Sequence, residues 1–557
     1  MCGIFGGVNV TLEESSDAIN AIKRGEDGIT VKKINNDIIF AARRHLVKKS
    51  GKENNDNQSD QPYFSNDKKI ALLFNGEFFN FKKYKDILEK KNVSFSSVGD
   101  TEVFLRLYEE KGINFINDKE IDSLYSLAIV DLKINKIFIT RDWPGRIPLY
   151  YYFSKEKFIF SSELKAFKKV KNVSLQDPVE LEPGTVLEYD IAEKKINLKK
   201  FFKPLTNLIK IDKEDIHTIA KTIDEKLDES AKNRTMGDVP ICTMLSGGID
   251  SVLTTFYVYK NINFDKVSFK PKSYVFYVEG FDSPDLLKAR EAAKGFQEIG
   301  LELREIKAKK EQIINAVPEI IHGFEMRKIK SLSFYPLPIY WFLAPEMYKD
   351  GYKVTIGGHG VDELLGAYDS WKELNKPHEL QIRTISRLAF INNIYSNMLK
   401  RASILFMNRG PIEARFPFLN HNICEYLLSV DKKWLMLNKN NAKIMLNLIE
   451  KNSSERLGPL AKLLDQYLNN EDLFNKDNSE EEINNLKKIF WKFPLIVSSY
   501  YASKRSFLKF ENVFNPKLRG QHGAGITSLE NNIVKKYSNL GKTDKEIFLS
   551  IANSYFS

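Results

Sequence analysis

Cysteine is scarce in this chain: 3 residues in 557 build no disulfide framework, which fits a reducing compartment. Glycine, at 29 residues, is too sparse for a collagen-like repeat, and a 43% hydrophobic, 12% aromatic content excludes disorder as the main state. No apolar run reaches the roughly 18 residues that a membrane helix needs. The longest, Phe334 to Pro345, is broken by Pro336 and Pro338. The start, MCGIFGGVNV, lacks the basic opening and apolar stretch of a signal peptide, so a cytoplasmic protein is expected. Two nucleotide motifs are missing as well. No G-x-x-x-x-G-K-S/T occurs, since Gly541-Lys542-Thr543 has Lys536 where the leading glycine belongs, and no G-x-G-x-x-G follows a strand. P-loop kinases and dinucleotide enzymes are thereby excluded. The net charge of +11 comes from scattered lysines without an arginine stripe, so nucleic acid is not an expected partner.

What is present falls into two textures, as expected for two or three domains of roughly 100–250 residues. The first half holds short β-rich segments at 70–74, 126–132, 136–140, 147–153 and 157–162, with one amphipathic helix near 101–111, a pattern of stacked antiparallel sheets. Residues 48–61 are polar and aperiodic and read as a surface loop. After a lysine-rich stretch at 196–213, which reads as a linker, helices alternate with strands: helix 214–232, strand 240–245, helix 251–260, strand 273–278, helix 284–298, strand 302–306 and strand 352–358. Such alternation predicts a parallel sheet with right-handed crossovers. From about 375 the pattern is helical, with 467–485 as an exposed acidic connection.

Cys2 follows the initiator Met, and removal of that Met leaves one residue carrying both a thiol and an α-amino group. Such an amine, with a pKa of about 7.7–8, can act as the base for its own nucleophile. Around it stand MCGIFGG, RGEDG (24–28), FNGEFFN (74–80), GDTE (99–102), RDWPGRIPLYY (141–151) and SSELKAF (161–167). In this order and spacing the first 195 residues or so resemble the class II glutamine amidotransferases. The resemblance implies a glutaminase domain of the N-terminal-nucleophile αββα sandwich type, with Cys2 attacking the glutamine amide. It makes Asn75 and the Gly76 N–H the oxyanion hole, Arg44 the ligand of the substrate carboxylate, and Glu77 and Asp100 the ligands of its ammonium group. Arg43 is an alternative to Arg44, and Glu26 stands where that family usually has proline.

In the second half, strand 240–245 runs into Ser246-Gly247-Gly248-Ile249-Asp250-Ser251 and a helix. Glycines that let backbone N–H groups close on an anion, small hydroxyls and a helix N-terminus suit a phosphate. SGGIDS resembles the pyrophosphate loop of ATP pyrophosphatases. A second turn, Gly357-Gly358-His359-Gly360-Val361-Asp362-Glu363, brings paired carboxylates, and Gly410 to Leu419 resembles the EARxPFL signature of asparagine synthetases. Residues 212–445 thus resemble the synthetase domain of the asparagine synthetase B type. That resemblance implies a parallel-sheet ATP pyrophosphatase domain (adenine nucleotide alpha hydrolase-like) with a helical C-terminal part. It makes Leu245, Ser246, Gly247, Gly248, Asp250, Ser251, Val278 and Gly358 ATP-binding residues, and Asp250 and Asp362 ligands of Mg²⁺.

The expected chain is therefore multidomain, α/β and α+β: a glutaminase at 1–195, a linker at 196–213, an ATP pyrophosphatase domain at 214–445 and a helical extension at 446–557. It would use glutamine, ATP and a carboxylate, with a homodimer left open. Aspartate is the acceptor the resemblance favours. Asn420 stands where Asp is usual, and His359 replaces a glutamate, which puts His359 in a catalytic position with altered charge and keeps another acceptor open. The rivals are the same chemistry on another carboxylate and a ligase-inactive binding protein. The synthetase lysine is unassigned, with Lys443, Lys462 and the segment KLRGQHGAG (517–525) as candidates.

Overall fold

The computed structural model describes residues 1–47, 60–201, 215–325, 334–367, 400–452, 454–469, 479–514 and 520–556. Residues 1–201 form two six-stranded antiparallel sheets packed face to face. One runs Val179–Glu180, Tyr150–Phe153, Phe158–Ser161, Gly3–Val8, Ile38–Arg43, Ile29–Lys33. The other runs Lys195–Lys200, Thr185–Asp190, Lys136–Arg141, Ser123–Asp131, Ile70–Phe78, Tyr63–Phe64. Short connections suffice between antiparallel neighbours; Asn135, at φ 52°, lets the chain reverse between Ser123–Asp131 and Lys136–Arg141. Side chains such as Ile4, Phe40, Leu73, Ala128, Ile139 and Leu187 fill the space between the sheets. Helix Leu12–Ala21 covers one outer face, and helices Phe81–Glu89 and Asp100–Lys111 cover the other, completing four layers.

Two of those helices escape the sequence pattern, which signals only the one at 101–111. The expected linker also starts too early, because Lys195–Lys200 is an edge strand paired with Thr185–Asp190. Its remainder, from 202, lies outside the described residues, as does most of the loop expected at 48–61.

The second body is a five-stranded parallel sheet in the order Glu302–Ala308, Lys272–Val278, Ile241–Met244, Val354–Ile356, Glu413–Arg415. The strand order reverses between Ile241–Met244 and Val354–Ile356, and ligands of open α/β sheets bind in the crevice at such a switch point. Helices Ile216–Arg234, Ile249–Lys260, Pro284–Lys294 and Leu337–Lys349 cover the sheet. The last absorbs the long apolar run of the sequence, and among the described residues no helix is long and apolar enough to cross a membrane. Strand Glu413–Arg415 is a correction to the all-helical reading after 375. Residues 480–485 of the expected acidic connection belong to helix Glu480–Phe490, started by a Ser479–Glu482 capping box.

Buried charges join the two bodies. Arg234 grips Asp122 with two guanidinium nitrogens at 2.5 and 2.7 Å, and Glu325 accepts the backbone N–H groups of Leu164 and Lys165. Truncating one partner of such a buried pair leaves an uncompensated charge, which costs about 3–5 kcal/mol.

Candidate active sites

The first centre gathers at the amino terminus. Cys2 leads into Gly3–Val8, whose other neighbour, Phe158–Ser161, ends beside Ser162. The Ser162 hydroxyl accepts from Ile4 N at 3.0 Å and from Asn75 Nδ2 at 3.1 Å, tying the cysteine strand to the middle of Ile70–Phe78 across the sandwich. Asn75 is fully buried, and its Oδ1 has no partner. At Gly76 a Cβ would lie 2.0 Å from the Leu124 carbonyl oxygen, so only glycine fits the strand there. Glu77 is buried, and Asp100, in the first turn of Asp100–Lys111, accepts Phe78 N at 2.9 Å, which sets the two carboxylates side by side.

Burial pushes the Cys2 thiol above its ordinary pKa, an effect that the adjacent chain-terminal ammonium and a hydrogen bond with the His45 backbone oppose. Burial, with Glu413 close by, also raises Glu77 well above the carboxylate range. His45 is driven down to about 3 by burial and by the same ammonium, so it is neutral. The two candidate arginines are distinguished by their contacts. Arg43 spends its guanidinium on the carbonyls of Gly25 and Ile22, at 2.7 and 3.0 Å, holding the RGED segment. Arg44 reaches Asp60 at 2.6 Å and the Asp27 carbonyl at 3.2 Å. Glu26 and Asp27 contact Tyr348 and Lys353 of the second body, so Glu26 serves the domain contact where proline is usual.

The second centre lies at the carboxyl ends of the two strands that flank the reversal. Ser251 Oγ donates to the Gly248 carbonyl at 2.9 Å and accepts from Ser246 N at 3.2 Å, which folds the loop over the N-terminus of Ile249–Lys260. Gly247 lies against the Lys288 backbone, and a Cβ on Gly358 would meet the Asp250 carbonyl at 2.6 Å, so the two glycine turns touch. Leu245 is buried and donates to the Tyr274 carbonyl. Val278 N donates to the Ala524 carbonyl at 3.0 Å, so the described part of the 517–525 segment sits against the neighbouring strand end; Lys517 lies outside the described residues.

A lysine missed in the sequence completes this centre. Lys492 Nζ lies 2.5 Å from Asp250 Oδ2 and 2.7 Å from Asp362 Oδ1 and is almost wholly buried. It immediately precedes helix Phe493–Ser503, whereas Lys443 and Lys462 are exposed on their helices. No local motif marks Lys492; its one sequence signal is a lone lysine in the apolar stretch IFWKFPLIV. His359, three residues before Asp362, has Nε2 2.8 Å from Tyr340 Oη and its ring edge-on to Phe416, centroids 4.7 Å apart. Asn420 caps helix His421–Ser429, accepting from Asn422 N and Ile423 N, a task that Asn performs as well as Asp.

Comparison with known proteins bears on both centres. Residues 1–208 match the model of the glutamine amidotransferase domain, and residues 222–387 match that of asparagine synthase. The chain thus carries a glutamine amidotransferase domain followed by an asparagine synthase domain and is similar to glutamine-hydrolysing asparagine synthetases. A probable asparagine synthetase (glutamine-hydrolyzing) of Dictyostelium discoideum is 26% identical over 451 residues, 77% of this chain and 76% of that protein. A putative asparagine synthetase of Methanocaldococcus jannaschii is 27% identical over 490 residues, covering 86% and 82%. A rice asparagine synthetase is 27% identical over 391 residues; the match spans 69% of this chain and 62% of the rice protein. The two domain matches and these relatives support an ATP-dependent ligase that takes nitrogen from glutamine. The match ending at 387 stops short of both Glu413 and Lys492, which the fold nevertheless brings to the two centres.

Proposed function

We propose that the chain converts aspartate to asparagine, with glutamine as nitrogen donor and ATP as activator, and that the observation carrying this reading is the Asp250–Lys492–Asp362 cluster at the sheet's switch point. Glutamine hydrolysis belongs to residues 1–195, activation to 214–445, and the extension beyond 446 supplies Lys492.

In the first centre, Cys2 attacks the side-chain amide, its own α-amino group taking the thiol proton and passing it to the departing nitrogen. Ser162 can donate to Asn75 Oδ1 once the amide turns by half a turn; Nδ2 then takes the unpartnered place of Oδ1 and, with Gly76 N, supports the developing oxyanion. Glu77 and Asp100 hold the substrate ammonium, and Arg44 holds its carboxylate by a fork of N–H groups.

In the second centre the Ser246–Ser251 loop binds the pyrophosphate portion of ATP, with Leu245, Val278 and Gly358 forming the nearby walls. Asp250 and Asp362 converge on one cationic group, which is the donor set Mg²⁺ uses when phosphates and water complete its shell. Bound there, Mg²⁺ would neutralise phosphate charge, and Lys492 can turn from the carboxylates toward the phosphates. A carboxylate so activated accepts ammonia delivered from the first centre, where exclusion of water protects both reactive species.

His359 supports a second reading in which the acceptor is a carboxylate without a neighbouring ammonium group. An imidazole paired with a phenol offers a base but little negative charge to attract the ammonium of aspartate. The deciding assay is pyrophosphate release with glutamine, ATP and Mg²⁺ across a panel of carboxylic acids. Clear preference for aspartate selects the first reading; preference for an acid lacking the ammonium selects the second.

A further inference from the structure

One buried cation has no part in the chemistry above. The α-ammonium group of Met1 lies 2.6 Å from Glu413 Oε2, and both side chains are wholly withdrawn from solvent. Arg415 Nε holds the other carboxylate oxygen at 2.7 Å. Burial by itself would raise the pKa of Glu413, but the ammonium and Arg415 outweigh it and hold it down at about 2. A charged carboxylate therefore binds a primary ammonium beside the nucleophile. The Met1 side chain fills an apolar pocket with Phe79, Leu124, Ile147 and Met407.

Cys2 can use its own α-amine only after Met1 is removed. Removal empties that pocket and takes from Glu413 one of its two cationic partners, and a buried carboxylate short of charge favours another cation in the same place. Hydrolysis of the glutamine amide by one water yields a carboxylate and ammonium, so the reaction itself supplies a cation of matching charge and N–H donors.

We propose that Glu413 is an ammonium-binding site between the two centres, where nitrogen released at Cys2 is held before it moves on, and that the Met1 ammonium occupies it in the unprocessed chain. Its position suits this role. Strand Glu413–Arg415 is hydrogen-bonded beside Val354–Ile356, which leads into the His359 turn, and Gly357 N donates to the Arg415 carbonyl at 3.0 Å. On its other side the Arg415 guanidinium lies 3.9 Å from Glu77. Phe416, the next residue, touches His359. The four residues 413–416 thus span from the glutaminase pocket to the acceptor turn. Because ammonium has no lone pair, it returns a proton to the Cys2 α-amine and leaves Glu413 as ammonia; attack on the activated acyl group then forms the amide and releases AMP and one proton.

The proposal rests on Cys2 being the nucleophile, and the test separates the two ideas. Wild-type, Glu413→Gln and Glu413→Asp proteins, with the first residue fixed by intact mass, are assayed for glutamate and AMP together, using the carboxylate that supports most pyrophosphate release. Glu413→Gln should release at least fivefold more glutamate per AMP than wild type, and Glu413→Asp should recover part of the coupling. Equal ratios in all three, or an active enzyme that retains Met1, overturn the ammonium site. Should Glu413→Gln fail to fold, wild-type protein lacking Met1 should melt several degrees higher in ammonium chloride than in equimolar sodium chloride; equal melting overturns the site. Glutamate release that survives Cys2→Ser refutes the nucleophile itself, whereas its loss, with unchanged ratios at Glu413, refutes only the ammonium site.

Discussion

The two centres are built in opposite ways. At the first, the side chains come from strand interiors and from the chain end, and the fully buried Asn75 and the Met1–Glu413 pair sit behind walls of the sandwich. At the second, Asp250 and Asp362 come from turns at the carboxyl ends of parallel strands and keep part of their surface exposed, with Lys492 reaching them from the C-terminal helices. The difference follows from the sheets. Antiparallel strands bring distant residues opposite one another within the ladder, so a strand can carry a reacting group at its middle or its end. A fully covered parallel sheet leaves functional groups only at the strand ends, where loops supply them. The comparison also shows where the centres meet: the edge strand Glu413–Arg415 belongs to the parallel sheet but turns its charges toward the glutaminase pocket.

The largest expected effects test whether the centres are separate. Cys2→Ala should abolish glutamine-supported synthesis and leave synthesis from high ammonium salt; equal loss with both nitrogen donors would merge the two centres into one. Asp250→Asn and Asp362→Asn should each lower pyrophosphate release by at least a hundredfold while glutamate release from glutamine persists. Near wild-type pyrophosphate formation by either variant removes that residue from the phosphate site.

A smaller effect is expected at the turn next to Phe416. His359→Glu restores negative charge and should improve aspartate relative to an acceptor without an ammonium group by about tenfold, measured as the ratio of kcat/KM values, a change of roughly 1.4 kcal/mol. An unchanged ratio means that His359 only braces Tyr340.

Acid should affect the first centre selectively. His45 is held neutral by burial, with its pKa pushed from about 6.5 down to about 3. Between these values the unfolded chain binds a proton that the folded chain refuses, so the contribution is complete above pH 6.5 and is lost as pH falls toward 3. Urea melts at pH 7 and pH 5 should show a drop that His45→Gln reduces by on the order of 1–2 kcal/mol. The smallest change is Asn420→Asp. Both residues cap helices well, and thermal melting should place the variant within about 0.5 kcal/mol of wild type.

Legibility in the sequence followed the range of the interactions. Ser246 to Ser251 and Asn75 to Glu77 are contiguous, and their function depends on backbone shape that glycines and small hydroxyls announce locally. Helices Leu12–Ala21 and Phe81–Glu89 were hidden because short amphipathic segments resemble the loops around them. Strand Glu413–Arg415 was hidden for another reason. Three residues carry no period, and two of them, being charged, read as surface. Their burial makes sense only with Met1 and Glu77 beside them.

By itself the sequence determined the order of the domains, the two textures of strand pairing and the identity of both glycine turns, because each rests on residues that are neighbours along the chain. The tertiary structure decided which lysine joins Asp250 and Asp362, which arginine braces the RGED segment and which carboxylate pairs with the Met1 ammonium. Lys492 lies 242 positions from Asp250, and Glu413 lies 412 from Met1. Contacts over such separations leave no period or spacing in the chain, since they exist only once two independently patterned bodies have packed and a buried charge has found the partner that makes its burial tolerable.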